Sequence, residues 1–483
     1  MSGLFTDYMT PVLLELEVLW IICSICIILI IVALIVTVHY HKRKFSKIRF
    51  NNHKNLKVGI FHPYCNAGGG GERVLWVALE ALQKRYPSAQ FYIYTGDISV
   101  AEHDILMNVK NVMNIDIQEN ITFIYLKNRS WIEASKYPCF TLLGQALGSM
   151  YLGFEALQLV VPDIMIDTIG LTFAMVIFKY IGGCRTGSYI HYPVITKEMT
   201  KRVSNRETAF NNSGRIARSP LLTFGKIIYY KFLAMMYSCM GKFSDITIVN
   251  STFTLEHLSA LWNTPLHLVY PPCDIRCLKE IKKSNKPKNI RILSVAQFRP
   301  EKNHALQLQS LYELREIVAE EIFERITLVL IGSCRNAEDE SRVKDLKDLS
   351  KYLSLDHNVQ FRVNVTFNEL LREFEDAFIG IHTMQDEHFG ISIVEQMAAG
   401  LIVVAHKSGG PLLDIIETCE GSRLGFLAFT PQDYSYCLNY IINAEEDEIN
   451  AIRGRARSSV DRFSSEKFCD EFLRAIDPLF KYN

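Results

Sequence analysis

Between Leu56 and Ala428 the chain alternates short apolar runs with stretches of helical periodicity, and this alternation leaves few folds open. A run that is apolar on both faces has no polar side to give to water, so it belongs in a parallel sheet covered by helices. The alternation occurs twice. The first series reads LKVGIFHPY, AQFYIYTG, ITFIYL, DIMIDT, TGSYIHYP and DITIVNS. The second reads IRILSVAQF, RITLVLIGS, NVQFRV, AFIGIHT, LIVVAHK and LGFLAF, with a helix expected over His304–Glu321. The polar stretch SNKPKN, residues 284–289, lacks apolar periodicity and reads as a linker. The expectation is an α/β protein with two Rossmann-like, doubly wound domains, 56–283 and 290–461. Residues 462–483 are expected to form a C-terminal helix returning to the first domain. Ligands of such a pair bind in the interdomain cleft, at the strand carboxyl ends.

The 483 residues carry 52 Lys+Arg against 52 Asp+Glu, which excludes a partner such as nucleic acid that needs a broad basic surface. With 49% hydrophobic and 22% charged residues, wholesale disorder is excluded as well. Val18–Val38 is 21 residues without a charge. At ~1.5 Å per residue a helix of that length crosses a bilayer's hydrocarbon core. A signal peptide would have a basic start, whereas Asp7, Glu15 and Glu17 precede this run. Lys42, Arg43, Lys44, Lys47 and Arg49 follow it, and positive flanks stay cytosolic. The reading is therefore a short lumenal segment (1–17), a transmembrane anchor (18–40), a basic cytosolic juxtamembrane segment (41–55) and cytosolic domains. The sequons at Asn120, Asn128, Asn211, Asn250 and Asn364 would then be unused, and the scattered cysteines read as small buried hydrophobes. Residues 218–243 and 140–161 are long and apolar, as interfacial helices or as core helices of the first domain.

Four segments carry chemistry. FHPYCNAGGGGER (61–73) puts four bare glycines between a strand and a helix, where backbone N–H groups can approach an anion or simply form a tight turn. It lacks the Lys-Ser/Thr of a Walker loop. QFRPEKNH (297–304) sets Arg299 and Lys302 at the mouth of the second sheet, a pair suited to a diphosphate, or else an ordinary helix start. EHFGISIVEQMAAG (387–400) spaces Glu387 and Glu395 around a loop that opens a helix at Gly390. YIHYPVI (189–195) leaves His191 just past a strand, a position open to a structural or a catalytic histidine.

Taken together and in this order, the segments resemble the E-x7-E group of retaining GT-B glycosyltransferases. Within that group FHPYCNAGGGGERVLW, GSYIHYPVI, SVAQFRPEKNH and DEHFGISIVEQMAAG are similar to the α-1,2-mannosyltransferases of asparagine-linked glycosylation, over about residues 56–475. The resemblance implies GDP-mannose as donor and a dolichol-diphosphate-linked oligosaccharide as acceptor. It also implies addition of the fourth and fifth mannoses at the cytosolic face of the endoplasmic reticulum membrane, alongside other mannosyltransferases of the pathway. It implies no metal and no cofactor. Gly70 and Gly71 would approach the donor diphosphate or acceptor, Arg299 and Lys302 would neutralise the leaving GDP, and Glu387 would hold the mannose hydroxyls. Phe389, Gly390 and Ile391 would present the loop to sugar and phosphate, Glu395 would bind the ribose, and His191 would contact the sugar near the reacting carbon. One departure stands out: where many relatives have Gly-Arg-Leu, this chain has Ala296-Gln297-Phe298, so Arg299 substitutes for that arginine or Lys302 acts alone. The competing functions are a sister transferase acting on another lipid-linked sugar and a catalytically silent scaffold.

Overall fold

The computed structural model describes residues 3–50, 55–113, 115–118, 120–208, 212–283, 286–334, 336–416 and 422–481. The sequon at Asn211 and the first two residues of the expected linker lie outside the described residues.

Two all-parallel sheets form as the alternation predicts. The first contains β1 (Lys57–Phe61), β2 (Gln90–Thr95), β3 (Ile121–Tyr125), β4 (Ile164–Asp167), β5 (Arg185–Ile190), β6 (Ile246–Val249) and β7 (Leu266–Leu268), in the order β3-β2-β1-β4-β5-β6-β7. The second contains β8 (Ile290–Val295), β9 (Ile326–Gly332), β10 (Val359–Val363), β11 (Ile379–His382), β12 (Ile402–His406) and β13 (Phe426–Ala428), in the order β10-β9-β8-β11-β12-β13. Each order reverses once, between β1 and β4 and between β8 and β11. Connections leave such neighbours toward opposite faces, and a crevice opens between them. The loops after β1, β4, β8 and β11 are therefore the ones that a bound ligand meets.

The domain boundary differs from the expected linker. Ile275, Leu278 and Ile281 are buried in the second domain's core with Leu293 and Met397, so the chain crosses over at 269–274 instead of 284–289. Residues 286–289, directly before β8, are half-buried or exposed and lie inside the second domain's territory; the apolar spacing ahead of the polar stretch demands burial. The return crossing runs beside the outward one, where Cys273 N–H donates to Phe463 C=O at 2.9 Å. Beyond it, helix Ser465–Ile476 packs on the first domain, with Phe468, Phe472, Ile476, Leu479 and Phe480 in that core. Phe480 stacks on Tyr86 with ring centroids 3.9 Å apart. The helix expected over His304–Glu321 ends at Arg315, and a separate turn, Glu320–Phe323, follows. The break lets Leu314 and Phe323 both face the core.

The N-terminal helix runs unbroken over Gly3–Phe50, so the expected juxtamembrane segment is helical as far as Phe50. Its apolar part is the one described helix long and apolar enough to cross a membrane. Its end is docked. Phe45 is buried with Phe178 and Ile181 against partly buried Phe154, His41 meets the Phe154 ring edge-on at 4.9 Å, and Lys42 lies 4.5 Å over Tyr180. Full burial of one phenylalanine is worth about 1.5–3 kcal/mol, enough to hold the helix end on the domain. The two other apolar segments are helices with mixed environments. Thr141–Leu159 buries Leu152, Ala156 and Leu157 while exposing Leu147, Tyr151 and Leu159. Pro220–Met240 buries Tyr230, Leu233 and Tyr237, yet Leu221, Phe224, Ile228, Phe232 and Met235 stand exposed along one stripe.

Candidate active site

On the second-domain side, three loops converge. Lys302 closes the short turn after β8, and its Nζ donates to Glu387 Oε2 at 2.5 Å. His382, the last residue of β11, sits with Nε2 3.2 Å from the same oxygen. Burial alone would push the Glu387 carboxyl up, but the Lys302 charge and the His382 contact outweigh it and hold Glu387 well below the usual range. Glu387 is therefore ionised and poised to accept hydrogen bonds. The Lys302 backbone is pinned in turn: the Thr383 hydroxyl donates to the Lys302 carbonyl at 3.0 Å and accepts from Gln307 Nε2 at 2.9 Å. Arg299 lies in the same turn, with Nη1 3.7 Å from Glu301 Oε1. Lys302 and Glu387 are thus joined directly, while Arg299 flanks them.

Gly390 caps helix Ile391–Ala398 with φ +114, a conformation that L side chains rarely adopt. The N–H groups at the start of that helix carry the positive end of its dipole. Ile391 lies at this helix start, and its Cδ1 reaches to 2.6 Å from where a Cβ on Gly70 would sit, so the glycine loop and the donor-side loop touch across the cleft. Phe389 does not face the cleft. It is buried against Tyr270 and Phe463, so its contribution is limited to its backbone. Glu395 lies one helical turn deeper, near Arg73 and Asp274. Burial pushes its carboxyl up to about 7, with Arg73 opposing and Asp274 adding to the shift.

On the first-domain side, His191 follows β5 and its Nε2 lies 2.9 Å from the Thr168 carbonyl. A carbonyl only accepts, so this nitrogen carries the proton. Burial lowers the His191 pKa to about 4, leaving the ring neutral. Gly71 lies beside it, since a Cβ there would be 3.7 Å from His191 Nε2. The walls of the cleft are also linked by polar bonds. Arg202 pairs with Asp386, and Thr252 N–H donates to Asp414 at 3.1 Å.

Sequence reasoning missed His382, Thr383, Gln307 and the Gly409–Gly410 pair. Gly410 N–H donates to the Glu387 carbonyl at 2.8 Å, and a Cβ on Gly409 would fall 2.2 Å from that carbonyl oxygen. The signal was present as HKSGGP, a glycine pair directly after a buried strand.

Two family descriptions match the chain: ALG11 mannosyltransferase N-terminus over residues 55–262 and Glycosyl transferases group 1 over 278–457. The GDP-Man:Man(3)GlcNAc(2)-PP-Dol alpha-1,2-mannosyltransferase of Mus musculus is 45% identical over 465 residues, covering 95% of this chain and 94% of that protein. The protein of the same name from Homo sapiens is 45% identical over 468 residues, covering 95% of each. Among solved structures, a glycosyltransferase from Rickettsia africae superposes with TM-score 0.59 at 14% identity, over 89% of this chain and 100% of that one. That likeness concerns the fold, which is GT-B.

Proposed function

The chain belongs to the GDP-Man:Man(3)GlcNAc(2)-PP-Dol alpha-1,2-mannosyltransferase family, and from that premise we propose that it transfers mannose from GDP-mannose to a dolichol-diphosphate-linked oligosaccharide, in α-1,2 linkage and with retention. The observation that carries the reading is the Lys302–Glu387 contact, which joins a cation for a diphosphate to an ionised acceptor for sugar hydroxyls.

In this reading the bond between mannose C1 and the GDP oxygen breaks with its electron pair going to the diphosphate. The acceptor hydroxyl oxygen bonds C1 on the same face, and its proton passes to the departing diphosphate oxygen. The transition state places growing negative charge on the diphosphate, and preorganised positive groups lower its energy most. Lys302, Arg299 and the N–H groups at the start of helix Ile391–Ala398 supply that charge, so the reading requires no metal. Glu387 accepts from mannose hydroxyls, Glu395 from the ribose, and His191 faces the sugar. Gly70 and Gly71 let the first-domain backbone close on the donor, while Gly390, Ile391 and the Phe389 backbone shape the pocket floor.

The reading extends to the membrane. The Trp20–Arg49 helix would anchor the enzyme, with its basic end and both domains on the cytosolic side of the endoplasmic reticulum. The exposed stripe of Pro220–Met240, flanked by Lys226 and Lys231, would lie on the same membrane and meet the lipid-borne acceptor. The four described sequons support a cytosolic location, because each side chain is engaged. Asn120 donates to Ala89 C=O and Asn128 to Glu155, Asn250 is buried, and Asn364 accepts from Cys334 N–H.

The test is a donor and acceptor matrix with purified full-length protein: GDP-mannose and UDP-GlcNAc, each with a short-chain lipid-diphosphate-linked trimannosyl-chitobiose. Transfer from GDP-mannose alone, giving product trimmed by an α-1,2-specific mannosidase, is expected. Transfer from another donor would indicate the sister transferase, and no transfer would indicate a scaffold.

A further inference from the structure

One set of buried polar groups in the first domain has no part in the reaction as described above. His62 follows β1, Glu72 sits in the first turn of helix Gly70–Arg85, and Thr168 follows β4, so all three lie at the reversal between β1 and β4. His62 and Thr168 are almost wholly buried. Their contacts form a chain. Glu72 Oε2 accepts from Gly69 N–H at 2.7 Å, and Glu72 Oε1 lies 3.7 Å from His62 Nε2. His62 Nδ1 lies 2.8 Å from the Thr168 hydroxyl, and the Thr168 carbonyl accepts from His191 Nε2 at 2.9 Å.

The charge at one end of this chain follows from the groups around it. Burial pushes the Glu72 carboxyl up, but the His62 contact and the amides of Glu72 and Gly69 outweigh it, so the carboxyl is held low and ionised. At 3.7 Å the Glu72–His62 contact is electrostatic and not a hydrogen bond, so the direct hydrogen bond of the His62 ring is the one between Nδ1 and the Thr168 hydroxyl. Thr168 is then fixed by its side chain at one end while its carbonyl orients His191 at the other. Asp167 reinforces the turn, its Oδ1 accepting from Ile169 N–H at 3.0 Å and Gly170 N–H at 3.1 Å.

We propose that His62 and Glu72 are positioning residues that tie the glycine loop to His191 through Thr168, fixing His191 with its proton on Nε2 and leaving Nδ1 as a hydrogen-bond acceptor for a sugar hydroxyl. The order of the glycine loop and the orientation of His191 are then one property. A disturbance at either end reaches the other, because coupling between two sites is reciprocal. The role of His191 toward the sugar rests on the function proposed above; the coupling between the two segments does not.

Backbone amide exchange on the full-length protein in detergent micelles tests the coupling without any substrate. His62→Phe and Glu72→Gln are each expected to speed exchange at least about threefold both in residues 66–73 and in residues 189–195, and His191→Ala to speed it in 66–73, while residues 304–315 of the second domain stay unchanged. Responses confined to the mutated segment would overturn the proposal. If His62→Phe loosens the whole domain, Thr168→Val carries the test, since it removes only the hydroxyl and leaves the carbonyl that His191 uses. A kinetic arm separates positioning from folding: Glu72→Gln and Thr168→Val are expected to lower kcat about tenfold with donor KM changed less than about threefold. Combined with His191→Ala, neither should lower kcat further, and multiplied losses would mean that the groups act independently.

Discussion

The two glycine segments that line the cleft differ in what they permit. The Gly409–Gly410 pair is sterically forced. A Cβ on Gly409 would lie 2.2 Å from the Glu387 carbonyl oxygen, and one on Gly410 would lie 2.6 Å from Phe389 Cα. Gly409 also has φ +58. The four glycines at 68–71 are roomier. A Cβ on Gly68 would meet nothing within 4 Å, although its φ of +73 favours glycine; ones on Gly69 and Gly70 would meet only the side-chain ends of Glu72 and Ile391, and one on Gly71 would make an ordinary contact with His191. The pair therefore holds backbone on backbone and sets the position of a charged side chain. The tetraglycine keeps a surface open for something that arrives. A glycine run is conspicuous in a sequence because of its length, but steric need is decided by the neighbours, and here the shorter run carries more of it.

Mutations can break or sharpen this contrast. The largest effect is expected at the charged centre that the pair supports. Lys302→Ala and Glu387→Gln should each lower kcat by about 10²–10³, the scale for loss of one preorganised electrostatic group. Steady-state transfer assays check this, and near-normal turnover in either would remove it from the centre. Gly409→Ala should follow at up to about 10²-fold, because displacement of a positioning backbone by about 1 Å costs that much. It should also lower the unfolding temperature, since the left-handed conformation adds about 1–2 kcal/mol of strain. Gly70→Ala should cost only a few-fold, mostly in donor KM, because the Ile391 side chain can rotate away. Gly71→Ala should stay within about twofold. If Gly70→Ala proved as damaging as Gly409→Ala, the contrast between a forced pair and an open run would fail.

The smallest effect is a pH slope. Glu395 is raised to about 7 in the folded protein, so its contribution to stability is complete below the ordinary glutamate range and is lost as pH rises through about 7. Asp167, also raised to about 7 by burial, acts in the same direction. Neutral buried histidines such as His304 and His406, lowered to about 4, act in the opposite direction: their contribution is complete above about 6.5 and is lost as pH falls toward about 4. Unfolding temperatures between pH 5 and 8 should therefore fall less steeply for Glu395→Gln than for the parent protein. Identical slopes would show that Glu395 does not ionise over that interval.

The parts of the molecule legible in the sequence are those governed by local pattern. Twelve runs of apolar residues became strands of two parallel sheets, with Leu266–Leu268 added at one edge. Lys302 and Glu387, separated by 85 positions, met because both follow neighbouring strands at a reversal of the sheet order. The sequence leaves Arg299 either as the substitute for the missing arginine or as a bystander to Lys302, and its guanidinium lies 3.7 Å from Glu301 in the same turn. His382 was hidden because it ends a strand that reads as wholly buried, and Thr383 and Gln307 act through a hydroxyl and an amide that no spacing rule marks. Phe389 sits inside the motif, yet its ring belongs to the core. The crossover lies ahead of the polar stretch because polarity does not by itself mean separation: Ile275, Leu278 and Ile281 already pack in the second domain.

The return of helix Ser465–Ile476 to the first domain has a consequence for synthesis. Phe468, Phe472, Ile476, Leu479 and Phe480 complete a core whose first strand begins at Lys57. While a ribosome makes this chain, the first domain to emerge is therefore not the first that can finish folding. It must wait, with part of its apolar interior uncovered, until the second domain and the final helix have followed, although domains usually fold in the order in which they emerge. A stop codon after the second domain but before residue 468 would leave two domains' worth of polypeptide with the earlier one unsealed, and quality control should recognise such a product by that uncovered surface.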